Sequence, residues 1–152
     1  MIKRVSVLGS TGSIGKQTLD VIASRPDEMT LFGICAKRSA AGLAEQARRF
    51  RPRYVACETP LDESLLPQGT EAIVGKDAAE RLAGMDGADV VVNGIGGFAA
   101  LKPLLAALAA GKRVALANKE SVVCGKPLLG ELMRTRGGTI VPVDSEQSAI
   151  FQ

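Results

Sequence analysis

Three clusters in this sequence combine residue types and spacings that can do chemistry. The first is Gly9-Ser10-Thr11-Gly12-Ser13-Ile14-Gly15, which follows the apolar run Val5-Ser6-Val7-Leu8 and leads into a helix-like run from Lys16 to Ser24. A strand, a glycine turn and a helix, in that order, make a cradle for nucleotide phosphates. Glycines let the backbone turn sharply and come close to a pyrophosphate, and the free N–H groups at the helix start face the anion. The spacing G-x-x-G-x-x-G is one residue longer than the common G-x-G-x-x-G, so taken alone it also fits a tight turn that holds nothing. Ser10, Thr11 and Ser13 add hydroxyl donors that an empty turn does not need. The second cluster is Ala117-Asn118-Lys119-Glu120-Ser121, and the third is Val143-Asp144-Ser145-Glu146-Gln147-Ser148. Asp144 and Glu146 stand at i and i+2, on one face of an extended backbone. Two hard oxygen ligands, completed by waters and a substrate, suit Mg²⁺ or Mn²⁺. The same spacing also suits Asp144 or Ser145 as the cap of a following helix. Lys119 has two readings as well, a contact to a substrate oxygen or phosphate and a surface pair with Glu120; spacing alone favours the pair.

What is missing narrows the chemistry. The chain has no histidine, which removes His-based zinc sites, Ser-His-Asp triads and imidazole acid–base catalysis. Catalysis must then use carboxylates, lysine, hydroxyls, a bound cofactor or a metal held by oxygen. Net charge is +3, mild and dispersed, and aromatic residues are 3% of the chain. A basic stripe with stacking aromatics is absent, so nucleic acid is not an expected partner. The apolar runs are too short to cross a membrane, and Met1-Ile2-Lys3-Arg4 passes at once into a strand, so neither a membrane nor a signal peptide is expected. Cys35, Cys57 and Cys124 are odd in number and lack metal spacing, and read as thiols of a reducing compartment.

The elements that must position these clusters alternate along the 152 residues, a length that suits one domain with a sizeable core. Strands are expected at 3–9, 30–35, 53–57, 71–74, 88–92, 113–116 and 139–143. Helices are expected at 13–24, 40–50, 77–83 and 98–110, with 127–136 inside another. Residues 59–69 hold two prolines and read as loop. Leu43, Ala47 and Phe50 fall at helical spacing, and the nearly unbroken apolar run 88–92 predicts a strand buried on both faces. This repeated βα pattern predicts an α/β fold with a doubly wound, mainly parallel sheet, a Rossmann-like dinucleotide-binding domain. In such sheets ligands lie at the carboxyl ends of the strands, so all three clusters are expected to face one crevice.

The second strand bears on which dinucleotide fits. A fold that takes NAD usually carries an acid at the end of that strand for the ribose 2′-OH. Here the strand ends Cys35-Ala36-Lys37-Arg38-Ser39. Two cations and a hydroxyl could bond a 2′-phosphate directly, and cations at a helix start are disfavoured without an anionic partner. NADP is therefore expected over NAD. Asn93-Gly94-Ile95-Gly96-Gly97 ends the buried strand and is either a second loop under the cofactor or a plain flexible turn.

The glycine loop, Ala117-Asn118-Lys119-Glu120-Ser121 and Pro142-Val143-Asp144-Ser145-Glu146 together resemble the 1-deoxy-D-xylulose 5-phosphate reductoisomerase family, specifically its N-terminal, NADPH-binding domain. The resemblance runs the length of the chain, and the two later motifs are far more specific than the glycine loop. It implies a metal-assisted rearrangement of 1-deoxy-D-xylulose 5-phosphate followed by hydride transfer from NADPH, giving 2-C-methyl-D-erythritol 4-phosphate for isoprenoid precursors. It implies that Thr11, Gly12, Ser13 and Ile14 touch the NADPH phosphates, with Gly9 and Ser10 of the same loop expected as cofactor-binding too, and that Ala36, Lys37 and Arg38 hold the ribose and its 2′-phosphate. Asn118 and Glu120 would contact the cofactor, and Lys119 the substrate. Asp144 and Glu146 would bind Mn²⁺ or Mg²⁺ (Co²⁺ also serving), while Ser145 and Glu146 touch substrate; Lys119 and Glu146 would be the catalytic groups. Gln147 departs from the pattern, which has His there, and this bears on the tuning of the metal site. The family's catalytic and dimerising domain and its helical C-terminal domain, with a third acidic metal ligand, lie beyond Gln152. Residues 1–152 are thus expected to be one NADPH-binding domain, inactive alone, of a larger homodimeric enzyme. That enzyme would be cytoplasmic in a bacterium or located in a plastid-type organelle in a eukaryote. Apolar Ile150 and Phe151 likewise suggest a helix cut short.

Two other readings compete. A semialdehyde dehydrogenase also opens with a glycine loop and binds NADP, but needs a thiol nucleophile. Cys124 is the candidate, its base would have to come from elsewhere, and Asp144 and Glu146 would have no role. A non-catalytic NADP-sensing module is the other.

Overall fold

The computed structural model describes residues 1–143. In chain order the elements are β1 (Lys3–Leu8), α1 (Ser13–Ser24), β2 (Met29–Ala36), α2 (Ala40–Phe50), β3 (Tyr54–Cys57), β4 (Glu71–Val74), α3 (Ala78–Gly84), β5 (Val90–Asn93), α4 (Leu101–Ala109), β6 (Arg113–Leu116), α5 (Lys119–Arg136) and β7 (Thr139–Pro142). The seven strands form one sheet in the order β4-β3-β2-β1-β5-β6-β7. Every pairing is parallel, so the expected mainly parallel sheet is wholly parallel among the described residues.

The layers follow from which side chains alternate to which face. Val5 and Val7 of β1, Ile34 and Ala36 of β2, and Val55 and Cys57 of β3 pack against Leu19 and Ile22 of α1 and Leu43 and Ala47 of α2. Leu8, Phe32, Cys35, Val91, Val114 and Leu116 face the other way, onto Leu82 of α3, Leu104 and Leu108 of α4, and Leu129 of α5. Two helices therefore cover one face and three the other, because side chains i and i+2 of a strand share a face. Helix ends follow local chemistry. Arg51 closes α2 in the left-handed conformation, and Pro52 cannot continue a helix. Gly137 closes α5 with φ +75°, where a residue without Cβ is at ease.

Three expectations are modified. Residues 59–69 contain one turn of 3₁₀ helix, Glu63–Leu65. The segment expected as a helix from 98 begins as a 3₁₀ turn, Gly97–Ala100, before α4. β5 is not buried on both faces, for Val91 is buried while Val90 and Val92 are half-buried. Val90 and Val92 line an apolar cleft of about 510 Å³ with Val21, Ala115 and Val143. The reason is the layering, since α1 and α2 pack over β1 to β3 and no helix among the described residues covers β5 to β7 on that side. The expectation assumed equal cover on both faces.

Strand order reverses between β1 and β5, where the chain winds outward in one direction and then the other. That switch point opens a crevice at the carboxyl ends of the strands. Its far end is tied at Asp89, whose carboxylate accepts from the Arg4 backbone N–H at 2.8 Å, while the Asp89 N–H donates to the Arg4 carbonyl at 2.8 Å.

Candidate functional site

At the crevice the chain leaves β1 through Gly9, which has φ +72° and packs so tightly that an added Cβ would lie 2.9 Å from the Gly94 carbonyl oxygen. The loops after β1 and β5 therefore touch. Gly15, in the first turn of α1, is pressed onto the same loop. A Cβ there would collide with the Gly9 carbonyl oxygen and with Cα of Ser10. α1 starts at Gly12 with no side-chain cap and no acidic residue in its first turn. The early N–H groups of a helix lack intrahelical acceptors and carry the positive end of its dipole. The local geometry is thus that of an open anion cradle, fitted to phosphate oxygens.

The hydroxyls of this loop divide. Thr11 is half-buried and Ser13 exposed, and neither side chain has a partner among the described residues. Ser10 turns inward and is fully buried. Its hydroxyl donates to Gln46 Oε1 at 2.7 Å, its carbonyl accepts from Gln46 Nε2 at 2.8 Å, and its N–H donates to the Cys35 carbonyl at 2.9 Å. Every polar group of Ser10 is engaged inside the protein, so its hydroxyl, expected as a donor in the cradle, braces the loop against α2 instead. Gln46 carried no signal in the sequence, because a polar residue on an amphipathic helix reads as solvent-facing.

Beside the cradle, β2 ends with Ala36 buried and Lys37 and Arg38 exposed. Lys37 Nζ lies 3.9 Å from Glu58 Oε2, the only ion pair of either cation among the described residues. This pair is loose and Lys37 is exposed in it, so it adds little stability and leaves both cations able to face an anion. Lys37 lines a cleft of about 450 Å³ together with Ala36, Glu58, Ile95, Glu80 and residues at the starts of α3 and α4.

Asn118 is nearly fully buried. Its Oδ1 accepts from the Ser121 N–H at 3.2 Å and caps α5. Its Nδ2 donates to the carbonyls of Ile95 at 3.1 Å and Gly97 at 2.8 Å. The side chain thus makes three bonds inside the protein, with one acceptor site of Oδ1 left over. Because of this cap, α5 begins at Lys119, well before the segment 127–136 expected as helix, and it runs through Pro127. Asn is among the preferred N-cap residues, a signal in the sequence that the reading of this motif as chemistry left unused. Lys119 and Glu120 are exposed in the first turn of α5, beside the crevice, and form no pair with each other among the described residues. Ser121 is buried behind them with its hydroxyl unpartnered. Asn93 is also fully buried. It donates to the Ala100 carbonyl at 3.0 Å and accepts from the Ile95 N–H at 3.3 Å. The loop after β5, read as either a cofactor loop or a flexible turn, is thereby held by two buried asparagines.

Asp144, Ser145, Glu146 and Gln147 lie outside the described residues. Among the described residues no group of three or more His, Cys, Asp or Glu could hold a metal ion. The three cysteines are free. Burial, with a smaller effect from the Cys57 thiol, pushes Cys35 up to about 12, so it stays a neutral thiol. Cys124 is exposed on α5. No described helix is long and apolar enough to cross a membrane.

The sequence pattern of 1-deoxy-D-xylulose 5-phosphate reductoisomerase matches residues 5–126. The chain is 42% identical to the 1-deoxy-D-xylulose 5-phosphate reductoisomerase of Thermosynechococcus vestitus over 159 aligned positions, covering 100% of this chain and 38% of that protein. Its fold superposes on the reductoisomerase from Zymomonas mobilis in complex with NADPH with a TM-score of 0.91 at 42% identity, covering 100% of this chain and 41% of that one. A reductoisomerase in complex with NADPH, fosmidomycin and magnesium matches with a TM-score of 0.90 at 33% identity, over 99% of this chain and 38% of that one. The chain thus spans about 40% of the length of these relatives.

Proposed function

The chain belongs to the 1-deoxy-D-xylulose 5-phosphate reductoisomerase family, and from that premise we propose that it is the NADPH-binding domain of such an enzyme. The observation that carries the proposal is the cradle at the switch point. Gly9 and Gly15 admit no Cβ, α1 opens uncapped, and Lys37 stands at the end of β2 where a 2′-phosphate would lie. The relatives with NADPH, and with NADPH and magnesium, support the same ligands here.

When bound, NADPH supplies the hydride, and a divalent metal, Mg²⁺ or Mn²⁺, polarises the oxygens of 1-deoxy-D-xylulose 5-phosphate. The chain's own work is positioning. The N–H groups of Ser13, Ile14 and Gly15, with the hydroxyls of Thr11 and Ser13, hold the pyrophosphate. Lys37 and Arg38 bond the 2′-phosphate. Lys119, exposed at the start of α5, neutralises charge on the substrate, and Glu120 sits beside it. Asp144 and Glu146 supply carboxylate oxygens, the donor type hard divalent cations prefer, with Ser145 and Glu146 on the substrate. Gln147 cannot titrate as a His would, so this position brings no change of charge near neutral pH to the metal pair. The remaining metal ligand, the larger part of the substrate pocket and the dimer contacts belong to the longer protein.

The test is a titration of this chain with NADPH and NADH, followed by the fluorescence of the reduced nicotinamide. NADPH is expected to bind at least about tenfold tighter, the worth of one or two charge-assisted hydrogen bonds, and Lys37→Glu should remove most of that preference. Equal affinities for the two dinucleotides would refute the assignment of Lys37 and Arg38.

A further inference from the structure

Phe98 is 70% exposed in a chain with 3% aromatic residues, and it is not on a mobile loop tip. Residues on both sides of it are pinned from below. Asn118 Nδ2 donates to the carbonyls of Ile95 and Gly97, and Asn93 Nδ2 donates to that of Ala100. The donors are buried side chains of two different elements, so the loop has little freedom. Gly97, at φ +67° with open space around it, turns the chain just before Phe98. Burial is the usual fate of a phenylalanine, and a braced loop that keeps one in solvent presents a flat apolar face to something. Phe98 lines the cleft of about 450 Å³ that reaches the end of β2. Ala36, Ile95 and Pro103 give the cleft an apolar lining, and its charged residues are Lys37, Lys76 and Lys102 against Glu58 and Glu80, a net positive set. Neither Lys76 nor Lys102 has an acidic partner among the described residues.

An apolar slot with one exposed aromatic and a net positive set of charges fits a planar base that carries phosphate. We infer that Phe98 is the stacking platform for the adenine ring of the dinucleotide. Lys76 and Lys102 line the same cleft as Lys37 and add to the positive field that holds the 2′-phosphate. The inference rests on the NADPH reading above and adds to it the adenine contact. The adenine end is chosen over the nicotinamide end because the cleft opens at the carboxyl end of β2, where a dinucleotide-binding sheet receives the adenosine ribose. A ring face against a base is tolerant of substituents and depends on the side chain keeping an aromatic plane.

The experiment uses the whole 152-residue chain with two probes, NADPH and adenosine 2′,5′-bisphosphate, which carries the adenine and the 2′-phosphate without the nicotinamide. Phe98→Ala should weaken both by the same factor, about tenfold, with an unchanged thermal midpoint because an exposed side chain is removed. Phe98→Tyr should bind both as the wild type does. Cross-peaks between a phenylalanine ring and the adenine H8 or H2 proton should appear in the wild-type complex and vanish in Phe98→Ala. If wild type binds NADPH and Phe98→Ala binds it equally well, the stacking inference falls while the cofactor reading stands. Loss of NADPH affinity without loss of bisphosphate affinity would move Phe98 to the nicotinamide end and likewise overturn it. A wild type that binds neither probe would overturn the cofactor reading and this inference with it.

Discussion

Ser10 and Thr11 are adjacent hydroxyl residues in one glycine loop, yet their physical roles are opposite. Thr11 is half-buried beside the start of α2 with its side chain free of hydrogen-bond partners among the described residues, while Ser10 spends its hydroxyl, carbonyl and N–H on Gln46 and Cys35. The difference lies in which way each residue faces once Gly9 takes its positive φ, and a list of donors does not contain that direction. Ser10→Ala should therefore cost about 1 kcal/mol of stability by leaving Gln46 Oε1 short of a partner, and should leave NADPH affinity nearly unchanged. Thr11→Val should do the reverse, weakening NADPH with little change in stability. Chemical denaturation and cofactor titration of the two variants separate the roles. A Ser10→Ala chain as stable as wild type but poor in NADPH binding would restore Ser10 to the cradle.

Among the elements, β1 and β5 matter most because the crevice is the gap between their carboxyl ends. Their opposite ends are held in register by Arg4 and Asp89 through paired backbone and side-chain bonds. The Arg4 N–H and then the Arg4 guanidinium hold the Asp89 carboxyl below its usual value of 3.8. A carboxyl with a depressed folded-state pKa adds stability that is present above its unfolded pKa and lost as pH falls through the folded one. Asp89→Asn is expected to lower the thermal midpoint at neutral pH and to flatten the loss of stability on acidification below the ordinary carboxylate range. Thermal melts of both proteins from neutral to acid pH read this directly, and parallel curves would remove Asp89 from the acid response. α5 shows how an element is set by its cap. Asn118 begins the helix and in the same act ties down the loop after β5, so the second chemical cluster is also the joint between two strand ends.

At the scale of the molecule, the described sheet brings the glycine cradle, the β2 cations and Lys119 to one edge. The Asp144–Glu146 pair follows directly on β7, and its carboxylates need further ligands to hold a divalent ion. The 152-residue chain should bind NADPH yet show no NADPH oxidation dependent on 1-deoxy-D-xylulose 5-phosphate. In a full-length reductoisomerase carrying this chain, Asp144→Asn should abolish turnover and weaken Mn²⁺ binding while leaving NADPH affinity nearly intact. A helix cap would tolerate that exchange, since Asn caps as well as Asp, so an active Asp144→Asn enzyme would refute the metal assignment. Turnover by the 152-residue chain alone would refute the domain reading.

The order of strands and helices was legible in the sequence because local periodicity and punctuation decide it. Runs such as Val5-Ser6-Val7-Leu8, and glycines or prolines such as Gly137 and Pro52, act over a few residues. The glycine spacing and the cations after Ala36 were legible for the same reason, since a turn and a strand end are local objects. Tertiary structure alone decided which residues meet. Ser10 and Gln46 are 36 positions apart, and Asn118 and Ile95 are 23 apart. A hydrogen bond across such a separation depends on how α2 and α5 dock on the sheet, which no short window of sequence encodes. The unequal cover of β5 had the same origin: an apolar run shows that a strand can be buried, and only the placement of α1 and α2 over β1 to β3 left Val90 and Val92 half-buried.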